Sequence, residues 1–245
     1  MSNIDGGITQ AIILVGGQGT RLGALSQEIP KPLLPVDGRP FVEYLLDALA
    51  TNGVSDIILS CGHLGEQLAA RYDGIYWHNA RLRCVMEKSP AGTGGILALW
   101  RPLLASRFFM VNGDSILAVN FAALTRTLGD DETQRLGALV LAPRPLGESR
   151  YGAVAVDASS VVHGFKEKNA DGKWINGGVY AFHRSVAAKI VAPCSLEQDI
   201  LPPLAARGLL GGLRCQGDFI DIGVPADFAR AQKEVPRIAR LLNNS

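Results

Sequence analysis

The chain has 245 residues, 47% hydrophobic and 19% charged, with a formal net charge of +1, the make-up of an ordinary globular protein with one large core. No basic stripe is present to displace counterions, so nucleic acid is not an expected partner. The apolar run Ala11 to Val15 is too short to span a bilayer and lacks the basic lead of a signal sequence, so a cytoplasmic protein with no membrane partner is expected.

In chain order, Ala11-Ile12-Ile13-Leu14-Val15 is a continuous apolar run bounded by glycine, as expected of a strand covered on both faces. Phe41, Tyr44, Leu45, Ala48 and Leu49 recur at helical spacing, and Asn52-Gly53 supplies the stop. The pattern then predicts a strand over Asp56–Ser60, a helix over Leu64–Tyr72, a strand over Leu82–Met86, a helix over Ile96–Leu104 and a strand over Phe108–Asn112. A helix over Phe121–Leu128 and a strand over Leu136–Leu141 complete the alternation. This order predicts an α/β fold, a Rossmann-like, mostly parallel (mixed) sheet with helices on both faces. After Pro145 the pattern changes. Strands over Tyr151–Val156 and Val161–Glu167 flank Asp157-Ala158-Ser159-Ser160 as a hairpin. A strand over Ile175–Phe182, a short helix over Ser185–Val191 and an amphipathic helix after Pro225 follow. With no repeat or linker, one domain over 1–245 is expected: an α/β body over about 10–142 and a small β-rich lid over about 143–235. Cys61, Cys84, Cys194 and Cys215, with no Cys-x-x-Cys, read as reduced thiols, and His63, His78, His163 and His183 show no zinc spacing.

The first strand runs into Gly16-Gly17-Gln18-Gly19-Thr20-Arg21-Leu22. Successive glycines allow φ > 0 and aim several N–H groups at one point, a nest for an anion at the carboxyl end of a strand. Leu22 stands where a dinucleotide-binding loop needs glycine, and no G-x-x-x-x-G-K-[ST] occurs, so neither a nicotinamide-dependent oxidoreductase nor a P-loop enzyme is indicated. Arg21 adds a planar, permanently charged fork for phosphate oxygens. Lys31 lies between Pro30 and Pro32 and projects a point charge from a stiff segment. Asp114 ends the strand in Asn112-Gly113-Asp114-Ser115, where a carboxylate either holds Mg²⁺ against phosphates or caps the next helix. Asp221 sits between Ile220 and Ile222, a setting that calls for a partner.

Gly16-Gly17-x-Gly19-Thr20-Arg21-Leu22 followed by Pro30-Lys31-Pro32-Leu33 resembles the signature of the sugar-1-phosphate nucleotidyltransferases. Further motifs extend the resemblance over about Gln10 to Ala231: Phe165-Lys166-Glu167-Lys168, Ile175-Asn176-Gly177-Gly178-Val179-Tyr180 and Tyr151-Gly152. No β-helical acetyltransferase extension is expected beyond them. The resemblance implies that the first half binds nucleotide and the second sugar phosphate. On the nucleotide it places Leu14, Gly16, Gly17, Gly19, Thr20, Arg21, Lys31, Glu87, Gly92, Thr93 and Asp114; on the sugar phosphate it places Gly152, Glu167, Lys168, Asn176 and Gly178. It assigns Asp114 and Asp221 together to the cofactor Mg²⁺, and Arg21, Lys31 and Lys168 to catalysis. A non-catalytic homologue that senses nucleotide sugar would have lost Arg21, Lys31 or an aspartate, and none is lost.

Ser195-Leu196-Glu197-Gln198-Asp199-Ile200-Leu201-Pro202, with Phe219 to Pro225, looks most like the D-glycero-D-manno-heptose 1-phosphate guanylyltransferases. GTP is the expected nucleotide. Guanine offers two adjacent donors, N1–H and N2–H₂, to the two oxygens of Glu87, whereas uracil and thymine offer one. Mannose-1-phosphate guanylyltransferases and uridylyl- or thymidylyl-transferring enzymes share most of these motifs and stay open as alternatives. A homo-oligomer is neither required nor excluded.

Overall fold

The computed structural model describes residues 7–145, 150–168 and 172–242. β1 (Gln10–Leu14) leads through the glycine loop into two 3₁₀ turns, Thr20–Ser26 and Lys31–Leu33. A short hairpin, β2 (Pro35–Val36) and β3 (Arg39–Pro40), precedes α1 (Phe41–Thr51), which stops at Asn52 with Gly53 at φ +87°. Next come β4 (Asp56–Cys61), α2 (Gly65–Tyr72), β5 (Tyr76–Trp77), β6 (Ala80–Met86) and α3 (Gly92–Leu99). β7 (Arg107–Asn112), β8 (Ser115–Leu117), α4 (Phe121–Leu128) and β9 (Gly137–Pro143) follow. The second half holds β10 (Gly152–Val156), β11 (Val162–Lys168), β12 (Trp174–His183), α5 (Leu201–Ala206), β13 (Leu210–Arg214), β14 (Phe219–Asp221) and α6 (Pro225–Leu242).

One ten-stranded sheet runs β11-β10-β12-β7-β1-β4-β6-β5, with β9 and β13 joined beside β12. β7, β1, β4 and β6 are mutually parallel, and β12 lies antiparallel on β7. The apolar runs of these strands alternate faces. Ala11, Ile13, Ile57, Leu59, Phe109 and Val111 belong to one core with residues of α1, α4 and α6. Ile12, Ile58, Phe108 and Met110 belong to the other, with α3 and α5. Burial on both faces explains why the sequence shows continuous apolar runs instead of alternation.

Three differences from the sequence expectations matter for the site. α3 begins at Gly92, before the Ile96 that the apolar spacing suggested, because the segment 192–196 packs on its glycine-rich first turn. The second half is not a separate layer: β12, β9 and β13 continue the main sheet, and the β10–β11 hairpin extends it beyond β12. At the base of that hairpin, Arg150 pairs with the buried Asp227 of α6. Finally, two three-residue strands, β8 and β14, form a small antiparallel sheet with Ser115 opposite Asp221.

Candidate active site

The cleft opens where the chain leaves the parallel strands, the usual ligand position in such sheets. It measures about 600 Å³. Its walls are Leu14 to Gln18 after β1, Ser60, Gly62 and His63 around the end of β4, Glu87 to Pro90 after β6, and Asn112 to Asp114 after β7. Lys31 and Pro32 close one side, and Gly92, Thr93 and Ile96 of α3 close another. Of the residues expected on the nucleotide, Leu14, Gly16, Gly17, Lys31, Glu87, Gly92, Thr93 and Asp114 line this one cleft. His63, Lys88 and Asn112 line it as well, though they were not singled out for the site from sequence. The rule that ligands gather beyond strand ends pointed to all three.

The glycine loop is built differently from a run of left-handed residues. Only Gly19 of its three glycines has φ > 0, at +68°. Gly16 is needed for space instead: a Cβ there would stand 2.8 Å from Glu87 Oε1 and 3.0 Å from the Gly62 amide. Gly19, Thr20 and Arg21 lie outside the cleft wall. The 3₁₀ turn carries Arg21 outward to the Asp221 loop, where its Nη2 is 3.2 Å from the place a Gly223 Cβ would take.

Lys31 reaches the cleft from its proline-flanked turn, 8% exposed, with Nζ donating to Asp114 Oδ2 at 2.7 Å. Asp221 arrives through β14, where Ile222 N–H donates to the Asp114 carbonyl at 2.8 Å. Asp221 Oδ1 accepts the Gly223 N–H at 2.7 Å and Oδ2 accepts the Tyr151 hydroxyl at 3.2 Å. Burial, then the nearby charge of Asp114, pushes the Asp221 carboxyl above its ordinary value. Two carboxylates held close enough to oppose each other's ionisation suit a divalent cation. Among the described residues no third His, Cys, Asp or Glu completes a cluster, so phosphate oxygens and water would supply the other ligands, as Mg²⁺ prefers.

Glu87 Oε2 accepts the Ala91 N–H at 3.0 Å, while Oε1 makes no hydrogen bond within the described protein. The two-oxygen contact with guanine is therefore not preformed, and one oxygen is already committed to the backbone. Thr93 is committed more fully: its hydroxyl donates to Glu197 Oε2 at 2.8 Å and accepts the Leu196 N–H at 2.9 Å. Its only proton is used within the protein.

In the second half, Gly152 sits opposite Lys168 in the β10–β11 register. The side chains of Glu167 and Lys168 lie outside the described part. Asn176 does not project free. Its Nδ2 donates to the Tyr180 hydroxyl at 2.7 Å and its Oδ1 accepts the Gly178 N–H at 3.0 Å, pinning an irregular stretch of β12 with Gly178 at φ +73°. One N–H and one lone pair remain on that carboxamide for a ligand. Gly152, Asn176, Gly178 and Asp221 are not part of the cleft wall.

Comparison with known proteins agrees with this geometry. The model of the nucleotidyl transferase family matches residues 10–237. The chain is 35% identical to D-glycero-alpha-D-manno-heptose 1-phosphate guanylyltransferase of Aneurinibacillus thermoaerophilus, covering 92% of this chain and 98% of that protein. It is 33% identical to mannose-1-phosphate guanyltransferase of Aspergillus fumigatus, covering 89% of this chain but only 62% of the relative. Among solved structures, HddC from Yersinia pseudotuberculosis complexed with GMP-PN superimposes with a TM-score of 0.78 at 27% identity, covering 93% of this chain and 99% of that one.

Proposed function

The chain belongs to the nucleotidyl transferase family, and we propose that it joins GTP to a sugar 1-phosphate, specifically D-glycero-D-manno-heptose 1-phosphate, to give GDP-heptose and pyrophosphate. The observation that carries this reading is that Lys31 and Asp114, joined by an ion pair, line the same cleft as Glu87, while β14 brings Asp221 beside Asp114 from outside the cleft wall. The lysine and the aspartates suit phosphate, and Glu87 suits a base with ring donors. The nearly full-length match to a heptose 1-phosphate guanylyltransferase supports the sugar. The mannose enzymes are longer, and this chain spans 62% of the relative above.

The reaction needs no activated side-chain nucleophile. A sugar phosphate has a second pKa near about 6, so its oxygen is already anionic at neutral pH. That oxygen attacks the α-phosphorus in line. One P–O bond forms as the bond to the β-phosphate breaks, and pyrophosphate leaves with the electron pair. Catalysis rests on positioning and charge neutralisation. Lys31 neutralises the triphosphate, Arg21 meets the departing pyrophosphate, and Lys168 holds the incoming sugar phosphate. Asp114 and Asp221 would hold Mg²⁺, which supplies charge neutralisation at the phosphates. Asn176, Gly152, Gly178 and Glu167 receive the sugar. The test is a pyrophosphate-release screen of four nucleoside triphosphates against a panel of sugar 1-phosphates. Highest kcat/KM with GTP and the heptose phosphate is expected; preference for another pair overturns the specificity, and no turnover with any pair overturns the activity.

A further inference from the structure

The amino end of α3 is held from a distance. Gly94 and Gly95 N–H groups both donate to the Cys194 carbonyl, at 3.0 and 3.1 Å, so the third and fourth amides of this helix are occupied by the protein's own backbone. Gly92, at φ +74°, turns its open side against the same carbonyl. A Cβ at Gly94 would stand 2.8 Å from Cys194 Sγ and 2.9 Å from the Leu196 amide. These glycines serve the approach of the segment 192–196. Side chains complete the contact. Thr93 donates to Glu197 Oε2 at 2.8 Å, Ser195 donates to the same oxygen at 3.1 Å, and Leu196 N–H returns to the Thr93 hydroxyl at 2.9 Å.

The segment that grips α3 descends from β12, the strand that carries Asn176 and Gly178. Glu197 lies near that strand too: the Tyr180 phenol, which holds Asn176, is pushed up by burial and next by the charge of Glu197. Glu197 thus holds the Thr93 corner of the cleft wall within electrostatic reach of the phenol that holds Asn176.

We propose that Thr93, Ser195 and Glu197 form a clasp through which the second half positions the amino end of α3, making Glu197 a positioning residue for nucleotide affinity. The inference rests on the nucleotide-binding reading of the cleft. Glu197 keeps Thr93 turned away from the ligand, which fixes the Gly92-Thr93 corner of the wall. Without the carboxylate, the Thr93 side chain loses its acceptor and can rotate, and the cost of ordering it falls on nucleotide binding.

The test uses the full chain with Glu197→Ala, Thr93→Val, the double variant and Thr93→Ser. The dissociation constant of a non-hydrolysable GTP analogue is measured by calorimetry, and KM for GTP and for the sugar phosphate by pyrophosphate release. Each single variant is expected to weaken analogue binding about three- to tenfold, the worth of a modest hydrogen bond. The double variant should bind no worse than the poorer single one. Thr93→Ser, which keeps the hydroxyl, should recover most of the loss seen in Thr93→Val, and KM for the sugar phosphate should not move. Additive losses overturn the clasp. So does a Glu197→Ala variant with unchanged analogue affinity and a raised KM for the sugar, which would make Glu197 a substrate contact. If the wild type binds no nucleotide, the functional reading fails and the clasp with it; if it binds and the variants bind equally well, only the clasp fails.

Discussion

Replacing Glu87 with glutamine exchanges one acceptor for a donor at constant shape, and the backbone decides which. Glu87 Oε2 accepts the N–H of Ala91, a residue 3% exposed. A glutamine that turned its amide there would set donor against donor and strand a buried N–H, at a cost of about 1–3 kcal/mol. Its carbonyl therefore faces Ala91, and its NH₂ takes the place of Oε1 in the cleft. Guanine would then meet a donor with its own N1–H and N2–H₂. A base contact of this kind discriminates by roughly 1–3 kcal/mol, so kcat/KM for GTP should fall about 5- to 150-fold. UTP, which can turn a carbonyl toward the new donor, should lose less or gain. The assay is pyrophosphate release with each of the four nucleotides and one sugar phosphate, with the melting temperature checked in parallel. Because the Ala91 bond is retained, stability should change little. Equal use of GTP and UTP by the wild type, or an unchanged ratio in Glu87→Gln, would show that residue 87 does not read the base.

Further outcomes are expected elsewhere in the site. Asp114→Asn and Asp221→Asn should each nearly abolish turnover, as should EDTA on the wild type; robust activity in EDTA would remove the metal from the mechanism. Asp221→Asn should also raise the melting temperature of the ligand-free protein at neutral pH. The folded carboxyl titrates above its unfolded value near 3.8, so its favourable contribution is present below that value and is lost as pH rises through the folded pKa. The advantage of the variant should therefore vanish below about pH 4, and a melting temperature equal to wild type at neutral pH would contradict the argument. Arg21→Ala should lower kcat by about 10²–10³, by analogy with deleting one donor to developing charge. Arg21→Lys should restore it only in part, since an ammonium lacks the two-pronged contact, and full rescue would show that charge alone matters. Away from the site, Asn120→Ala removes the cap that accepts the Ala123 N–H at 2.8 Å at the start of α4, and chemical denaturation should show a loss of about 1 kcal/mol with activity intact.

Much of this protein is legible in its residue order. Continuous apolar runs such as Ala11 to Val15 and Phe108 to Val111 specify strands buried on both faces, and a doubly covered parallel sheet gathers its ligands beyond the strand ends. Gly16 and Asp114 follow such strands and Glu87 follows the partly exposed β6 of the same sheet, so their convergence on one cleft was implied by local pattern. Lys31 was marked by the prolines around it. The tertiary structure decided the rest. Asp221 reaches Asp114 through two three-residue strands, β8 and β14, too short to show any periodicity. α3 begins at Gly92 against the helix propensity of its glycines, because they let the segment 192–196 approach. Asn176 and Thr93 look like free ligands in the sequence, yet Gly178 and Tyr180 take up half of the Asn176 carboxamide's capacity, and Glu197, about a hundred residues away, takes the Thr93 proton. Local spacing records the period of a helix or strand and the turn that ends it. Which side chains meet across the molecule depends on how the loops close, and a carboxylate's or an amide's remaining capacity is known only when its partners are in place.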